Sequence, residues 1–278
     1  MNRFPDWIIY IVALAALWFI ISRFDEKADA PEAPGLWENS PPLLPEASEA
    51  DPEVLVEVGP QATGAGTAFA ISRDGWWLTA RHVVDACEEI GVLWGGGLAA
   101  PVEAFHVADG ADLALIKTRR APAPIQLAFD ETQFRVGQRA FHLGFPQGAP
   151  GEAASRLIGR ERLVARGRYR IDEPVLAWAE IGRSENLFGS LAGISGGPVL
   201  DEEGRVIGVT LAESVRRGRL YTATPRTLKT LLEANRVEAR GRLVGRMSET
   251  NYATSHDRLR QSLAIAQVVC VVEGAPAL

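Results

Sequence analysis

The chain has 278 residues, of which 47% are hydrophobic and 23% are charged, a composition typical of a globular protein with a buried core. Its net charge of −6 argues against nucleic acid as a partner, because an acidic surface repels phosphate. The two cysteines, Cys87 and Cys270, belong to no Cys/His cluster, so we expect neither a metal site nor a cofactor. Two separate buried thiols are expected ahead of one disulfide.

The first predicted element is an apolar segment close to the N-terminus. Residues 7–22 carry no charge and would span about 24 Å as a helix, which is short for a bilayer core of about 30 Å. Phe4 and Phe24 extend the apolar length, and Arg23 can snorkel to the interface. We therefore expect residues 1–24 to form an uncleaved single-pass membrane anchor, whose flanking charges do not settle its orientation.

Two alternatives for this segment stay open, and a spacer follows it. Charged residues separate the apolar segment from Ala28-Asp29-Ala30, which makes a poor signal-peptide cleavage site. A buried helix of a soluble protein fits less well, because the segment is apolar on every face. Residues 25–53 contain six prolines and show no hydrophobic period, so we expect a disordered or extended spacer.

From residue 54 onward, short apolar segments separated by turns predict β strands. The break at residues 119–134 divides them into two halves, about 54–118 and about 135–224, which predicts an all-β fold with two similar parts. A helix is predicted at residues 224–234, with Pro225 near its start. The predicted strands are residues 54–58, 66–72, 75–79, 90–94, 102–107, 113–117, 138–143, 157–165, 175–181, 199–200, 206–211 and 220–223.

Three segments carry side chains suited to nucleophilic catalysis. TARHVV ends a strand with His82, DLALI opens another with Asp112, and GISGGPV is a glycine-rich turn around Ser195. A serine hydroxyl becomes a good nucleophile when an imidazole takes its proton, and a buried carboxylate fixes the imidazole tautomer. Gly193 and Ser195 can offer two backbone N–H groups to an oxyanion from one turn. Asp109, close to Asp112, is interpreted as a turn residue.

These segments, in the order His, Asp, Ser, resemble the trypsin-like serine peptidases, and most closely the bacterial HtrA/Deg type. GTAFAIS-x-x-GWWLTA resembles the first-barrel hairpin of that type, LGFPQG its Gly-x-Pro-x-Gly loop, and GRVIGV and LYTATP the strands after the nucleophile. The resemblance covers about residues 54–234. It implies two six-stranded antiparallel barrels, with His82 and Asp112 from the first and Ser195 from the second. It also implies that a substrate strand binds along Leu211, Ala212 and Glu213.

The chain departs from the HtrA/Deg pattern at two points. Ile194 stands before the nucleophile, where the family usually has a small polar residue, and this would alter the oxyanion turn. Residues 235–278 are too few for the PDZ domain of that type, so we expect none. Gly189 and Ser190 fall where trypsin-like enzymes line the floor of the primary specificity pocket, and neither has a carboxylate. We therefore expect cleavage after a small or medium apolar residue rather than after Arg or Lys.

The remaining histidines and the C-terminal tail suggest structural roles. We interpret His106 and His142 as packing or hydrogen-bonding residues in strands, and His256 as a solvated side chain. The apolar run at residues 263–272 is too short to cross a membrane. It is predicted to be either an edge strand on the second barrel or an oligomer contact, and the sequence leaves both open.

The leading hypothesis is a serine endopeptidase anchored in a bacterial inner membrane, with its catalytic domain in the periplasm or outside the cell. Its substrates would be polypeptides, either exposed and misfolded chains in general or one dedicated membrane-proximal protein. The alternative is a catalytically impaired module of the same fold that binds peptides at the membrane. A homo-oligomer is a further expectation.

Overall fold

The computed structural model describes residues 41–272 except Gly96 and Asn186. This part of the chain is mostly β structure with few helices, as predicted. The predicted anchor at residues 1–24 lies outside the described residues. No helix within the described range is long and apolar enough to cross a membrane.

Fourteen strands and three α-helices make up the described fold. The first half contains β1 (Glu53–Val58), β2 (Gly64–Ala70), β3 (Trp76–Ala80), α1 (Arg81–Val84), β4 (Glu89–Gly95), β5 (Leu98–Pro101), β6 (Ala104–Val107) and β7 (Leu113–Lys117). The second half contains β8 (Arg139–Gly144), β9 (Gly151–Gly167), β10 (Ile171–Arg183), β11 (Pro198–Leu200), β12 (Val206–Ser214) and β13 (Arg219–Ala223). The C-terminal part contains α2 (Pro225–Ala234), α3 (Tyr252–Gln261) and β14 (Ile265–Val271).

The second half closes into a ring of six strands, as the resemblance implied. Strand β9 pairs with β8 through its first residues and with β10 through most of its length, and the order β8-β11-β12-β13-β10-β9 returns to β8. All of these pairs are antiparallel. Trp178 and Leu220 are fully buried within this barrel. We call this ring the second barrel.

Strand β1 does not belong to the half of the fold in which the sequence placed it. The sequence assigned residues 54–58 to the first barrel, but β1 runs parallel to the far end of β9, with Val54 opposite Leu163. Its alternating valines turn their half-buried side to the core. Alternation of side chains shows which face of a strand is buried but carries no information about its partner, so this assignment was wrong.

Strands β2 to β7 of the first half form the other sheet, which we call the first barrel. The C-terminal tail completes this sheet. The sheet has seven strands rather than the six that the resemblance implied, in the order β5-β4-β14-β2-β3-β7-β6, because the tail adds β14. The tail was expected at an edge of the second barrel or at an oligomer contact. Instead β14 lies between β2 and β4, with Ile265 opposite Phe69 and Val268 opposite Val92. The apolar run is therefore a central strand, which explains why both of its faces are apolar.

The two cysteines are joined in a disulfide, against the expectation of separate thiols. Their Cα atoms lie 5.4 Å apart although 183 residues separate them in sequence. Cys87 follows α1, and Cys270 lies near the end of β14. The insertion of β14 into the first barrel creates this proximity, which explains why the spacing of the cysteines did not predict it.

Residues 41–52 belong to the predicted spacer but lie against the second barrel. Leu44 is buried, and its N–H donates to the carbonyl of Phe134 at 2.7 Å. The carbonyl of Pro45 accepts a hydrogen bond from Arg160 Nε at 2.7 Å. The partners of this segment are more than 80 residues distant in sequence. The composition of the segment carries no information about such partners, and it therefore predicted a disordered or extended chain.

Candidate active site

His82 and Asp112 meet because β3 and β7 are paired neighbours. Ala80, the last residue of β3, lies opposite Leu113, the first residue of β7. The helix α1 begins directly after β3, and it brings His82 Nδ1 to 2.7 Å from Asp112 Oδ2. The backbone N–H of His82 also donates to Asp112 Oδ1 at 2.9 Å. This pairing fixes the proton on Nδ1 and leaves Nε2 as the acceptor.

The electrostatics of His82 favour its charged form. Burial lowers the pKa of the imidazole, but the negative charge of Asp112 and the hydrogen bond to it raise that pKa by more. The guanidinium of Arg168 lowers it slightly. The net effect is a pKa of His82 above its ordinary value of 6.5. Asp112 itself is 6% exposed, so its charge acts on the imidazole with little solvent screening.

The turn that carries Ser195 is docked on the first barrel through Thr67. The N–H of Thr67 donates to the carbonyl of Ser195 at 2.9 Å, and its hydroxyl donates to the carbonyl of Gly193 at 2.8 Å. Gly196 packs so closely here that a Cβ atom would lie 2.1 Å from the Thr67 carbonyl oxygen. The absence of a side chain at Gly196 is therefore what allows this close approach. Sequence inspection did not single out Thr67.

Gly193 has the backbone conformation that an oxyanion-binding turn requires. Its φ of +100° lies in the region that favours glycine, and a Cβ atom there would lie 2.5 Å from the carbonyl oxygen of Phe145. The carbonyl of the preceding Ala192 accepts a hydrogen bond from Gln147 N at 2.6 Å. In a planar trans peptide the N–H points opposite to the carbonyl, so the N–H of Gly193 points away from Gln147.

The hydroxyl of Ser195 shares a cleft with His82 but bonds elsewhere. Both side chains line a cavity of about 280 Å³ together with Gly193. Ser195 Oγ donates to the carbonyl of Leu211 at 3.3 Å, and the described residues show no hydrogen bond between it and His82. A rotation about the Cα–Cβ bond of Ser195 is needed to align the pair. Catalytic hydrogen bonds are often long in unliganded enzymes and shorten when substrate binds.

Three of the residues expected to bind substrate follow one another on β12. The pairing of β12 with β11 ends at Val209, so the following residues of β12 present an edge on that side. These residues are Leu211, Ala212 and Glu213. Such an edge can accept the backbone of an added strand.

Glu213 brings a carboxylate to the region that the sequence left without one. Both of its carboxylate oxygens accept the N–H of Leu191, at 2.7 and 2.9 Å, and one also accepts the hydroxyl of Ser190. The carbonyl of Gly189 accepts a hydrogen bond from Arg183 Nη1 at 2.8 Å. The Glu213 carboxylate is therefore already engaged in holding the loop before Gly193.

Ile194 does not distort the turn through a misplaced side chain. It is 2% exposed and packs in the core of the second barrel. Its N–H donates to the carbonyl of Leu191 at 2.9 Å. The departure from the family pattern therefore replaces a polar side chain by one that fills the core, and Gly193 retains its required conformation.

Two residues beside Asp112 were missed by sequence inspection. Tyr169 lies in the turn between β9 and β10, and its hydroxyl donates to Asp112 Oδ1 at 2.9 Å. Glu173 on β10 accepts the backbone N–H of Asp112 at 2.7 Å. Neither residue belongs to a motif, and each lies more than 50 residues from Asp112 in sequence, so no local signal could have identified them.

The other histidines lie outside this site. His142 is fully buried and bonded to Thr210 and Ser155, as its interpretation as a hydrogen-bonding residue predicted. His106 stacks on Trp76. His256 was expected to be solvated but is fully buried, with Nδ1 3.4 Å from Glu152, because α3 packs against the second barrel. Asp109 lies exposed in a turn, as predicted.

Comparisons with known proteins agree with this geometry. The family model of the trypsin-like peptidase domain matches residues 66–209. A probable periplasmic serine endoprotease DegP-like of Hahella chejuensis is 27% identical over 161 residues, which cover 58% of this chain and 32% of the relative. The Brucella suis protein of the same name is 31% identical over 155 residues, covering 55% of this chain and 28% of the relative. The chain thus spans about a third of the length of these curated relatives.

A solved structure supports the fold. The Rv3671c protease from M. tuberculosis, in its active form, superposes with a TM-score of 0.52 at 21% sequence identity. The alignment covers 63% of this chain and 74% of that chain. At this identity the likeness concerns the fold.

Proposed function

Because this chain belongs to the family of trypsin-like peptidase domains, we propose that it is a serine endopeptidase with Ser195 as nucleophile and His82 as base. The observation that carries the proposal is the 2.7 Å contact of His82 Nδ1 with the buried Asp112 carboxylate. This contact leaves Nε2 available in the cleft that His82 shares with Ser195.

In the proposed mechanism the Ser195 hydroxyl turns from Leu211 toward His82. The hydroxyl proton passes to Nε2 as Oγ attacks the peptide carbonyl, and Asp112 stabilises the resulting imidazolium. The N–H groups of Gly193 and Ser195 stabilise the negative oxygen of the tetrahedral intermediate. The imidazolium then donates its proton to the leaving amine, which yields an acyl-enzyme, and a water molecule activated by His82 hydrolyses it.

A serine-reactive probe tests the proposal without knowledge of the natural substrate. The wild-type chain should react with a fluorophosphonate probe and hydrolyse casein, and Ser195→Ala should abolish both. Ser248→Ala, in the turn before α3, is the matched control and should keep both activities. Labelling that persists in folded Ser195→Ala would exclude Ser195 as the nucleophile.

One observation favours the second candidate, a peptide-binding module without catalysis. Ser195 Oγ is bonded to the carbonyl of Leu211 rather than to His82. If substrate does not release this bond, the hydroxyl stays inactive while the free edge of β12 still binds peptides. A folded wild-type chain that binds casein-derived peptides but shows no labelling over hours would establish this function instead.

We propose apolar residues on the N-terminal side of the cleaved bond as the substrate preference. A cavity of about 270 Å³ beside His82 is lined by the apolar side chains of Val56, Leu163 and Ala212, among others. At the expected specificity loop, the carboxylate of Glu213 already accepts the N–H of Leu191. In a series of peptides with Ala, Val, Leu or Arg before the cleaved bond, kcat/KM should be at least about tenfold lower for the Arg peptide than for the apolar ones. A preference for Arg that disappears in Glu213→Gln would overturn this.

We further propose an extracytoplasmic catalytic domain held at the membrane by residues 1–24. The curated relatives are named probable periplasmic endoproteases, and disulfides such as Cys87–Cys270 persist in oxidising compartments. The full chain should stay with membranes after a carbonate wash, and deletion of residues 1–24 should release it. Protease added to spheroplasts should digest the catalytic domain. Protection from digestion would contradict its placement on the outer side of the inner membrane.

Sedimentation of the full chain in detergent tests for a homo-oligomer.

A further inference from the structure

The second barrel reaches across the cleft to the carboxyl group of Asp112. The turn between β9 and β10 carries Tyr169, whose hydroxyl donates to Asp112 Oδ1 at 2.9 Å. Three residues into β10, Glu173 accepts the backbone N–H of Asp112 at 2.7 Å through Oε1. Asp112 belongs to the first barrel, so the Tyr169 bond links the second barrel to the side chain that orients His82, and the Glu173 bond links it to the backbone of Asp112.

The Tyr169 ring lies close to two guanidinium groups, which help to fix its position. The guanidinium of Arg81 lies 4.2 Å from the ring centroid and that of Arg168 lies 5.6 Å from it. Asp85 is 3.4 Å from Arg81 and 3.8 Å from Arg168, and it holds the two guanidinium groups in place. The ring is 8% exposed. The phenol therefore presents its hydroxyl to Asp112 in one orientation.

Tyr169 supplies Asp112 with a hydrogen-bond donor that Leu211 on β12 cannot supply. Leu211 lines the same cavity as His82 and Asp112, but its side chain has no hydrogen-bond donor. The Asp112 carboxylate receives the imidazole N–H and the backbone N–H of His82, and the Tyr169 hydroxyl is its third donor. A buried carboxylate needs such donors to remain ionised and to keep one orientation.

Glu173 is suited to accept the Asp112 N–H as a neutral acid. It is 2% exposed, and its second oxygen, Oε2, is buried without a hydrogen-bond partner among the described residues. Burial raises the pKa of Glu173, the hydrogen bond from the Asp112 N–H lowers it, and the nearby charge of Asp112 raises it again, which leaves it at about 8. Near neutral pH its carboxyl group is therefore largely protonated, and it adds little negative charge beside Asp112.

We propose that Tyr169 and Glu173 are positioning residues, through which the second barrel holds the carboxylate of Asp112 in the orientation that His82 requires. The inference rests on the proposed function. Tyr169 acts on the side chain of Asp112, and Glu173 acts on its backbone. Without the Tyr169 hydroxyl, His82 would supply all the hydrogen bonds that the Asp112 carboxylate receives from the described residues, and the orientation of the imidazole toward Ser195 would be less firmly held.

The test compares Tyr169→Phe with Tyr252→Phe. The first variant removes the hydroxyl but keeps the ring beside the two guanidinium groups, and the control removes a hydroxyl in α3, outside the cleft. The second-order rate constant of fluorophosphonate labelling should fall about tenfold or more in Tyr169→Phe. The acidic limb of its pH profile should move to higher pH, because a less stabilised Asp112 charge favours the imidazolium.

Two substitutions test Glu173 in the same assay. Glu173→Gln keeps an uncharged acceptor for the Asp112 N–H, so its rate constant below pH 8 should stay within about threefold of wild type. Glu173→Leu removes the acceptor and should lower the rate constant about tenfold. Circular dichroism confirms that each variant is folded; if Glu173→Leu is not, the Tyr169→Phe pH profile decides.

The outcomes separate this inference from the proposed function. A wild-type chain that is not labelled contradicts the proposed function. A labelled wild type whose rate constant and pH profile are the same in Tyr169→Phe as in Tyr252→Phe overturns the positioning role of Tyr169. A folded Glu173→Leu variant with the wild-type rate constant overturns that of Glu173.

Discussion

Two histidine clusters of this chain look alike at first sight and differ in chemistry. In the first, His82 is bonded through Nδ1 to Asp112 at the cleft. In the second, His142 on β8 contacts the hydroxyl of Ser155 through Nε2 at 2.7 Å and that of Thr210 through Nδ1 at 3.1 Å. The buried cluster thus has a closer serine–histidine contact than the cleft, where Ser195 is bonded to a carbonyl.

The two clusters differ in that His82 has a carboxylate partner and access to solvent, whereas His142 has neither. His142 has only hydroxyl partners, and burial lowers its pKa to about 3. Burial also lowers the pKa of His82, but the charge of Asp112 more than offsets it. A neutral imidazole sealed in a core can hold a hydrogen bond but cannot exchange protons with a substrate. A serine near a histidine is therefore a weak sign of catalysis unless a carboxylate and a cleft accompany it.

The two histidines also contribute opposite pH dependences to folding. The pKa of His142 is lower in the folded than in the unfolded chain, so between about pH 3 and 6.5 only the unfolded state binds its proton, and stability falls as the pH falls. The pKa of His82 is raised on folding, so its contribution is present below pH 6.5 and is lost as the pH rises through the folded pKa.

The largest expected effect comes from removing the charge that distinguishes the first cluster. Asp112→Asn should lower the rate of casein hydrolysis about 10⁴-fold, because the amide favours the wrong imidazole tautomer. The stability of the variant, measured by urea unfolding, serves as the control for folding. Hydrolysis at more than a tenth of the wild-type rate would show that His82 does not depend on Asp112.

The next largest effect is expected in the pH dependence of the labelling reaction at the cleft. The rate constant of fluorophosphonate labelling should fall about tenfold per pH unit below the pKa of His82, which lies above 6.5. Measurement between pH 5 and 9 covers the transition, with unfolding followed at each pH. A profile that is flat down to pH 5 would contradict His82 as the base.

A smaller effect is expected when the second cluster loses its imidazole. His142→Leu removes the imidazole partner of the Thr210 hydroxyl and leaves the Ser155 hydroxyl with a 3.4 Å bond to the Ala140 carbonyl. It should lower the free energy of unfolding at pH 7 by about 1–3 kcal/mol. The deficit should shrink at pH 5, because the wild type loses about 1.4 kcal/mol per pH unit as His142 becomes protonated in the unfolded state. Urea titrations at both pH values measure this. A deficit that grows on acidification would mean that His142 is not held neutral.

The smallest effect is expected for the buried serine. Ser155→Ala should change the free energy of unfolding by about 1 kcal/mol, the typical contribution of one hydrogen bond. Its labelling rate constant should equal that of wild type, because the Ser155 hydroxyl is sealed from the probe. Loss of labelling in a folded Ser155→Ala variant would erase the distinction between the two clusters.

The parts of the site that the sequence predicted are those encoded by neighbouring residues. His82 lies in the short helix directly after β3, Asp112 directly precedes β7, and Gly193 gives the nucleophile turn its conformation within a few residues. The helix at residues 224–234 was predicted for the same reason, since Thr224 caps it and Pro225 starts it. Local geometry follows from local chemistry in each case.

Elements that depend on a distant partner were not predictable in this way. The strand β14 inserts between β2 and β4, about 170 to 200 residues away, and brings Cys270 to Cys87. Residues 41–52 find their partners on the second barrel. The alternation of β1 indicated a strand, yet its parallel partner β9 lies about 109 residues further along the chain.

By itself the sequence determined the family and the all-β class and predicted His82, Asp112 and Ser195 as the catalytic set, because the motifs that carry them are short and contiguous. Only the tertiary structure decided what surrounds Asp112, where the tail and the cysteines lie, and which serine–histidine contact is buried. Those features depend on side chains and strands brought together across the chain, and their contacts leave no pattern in the residues next to them.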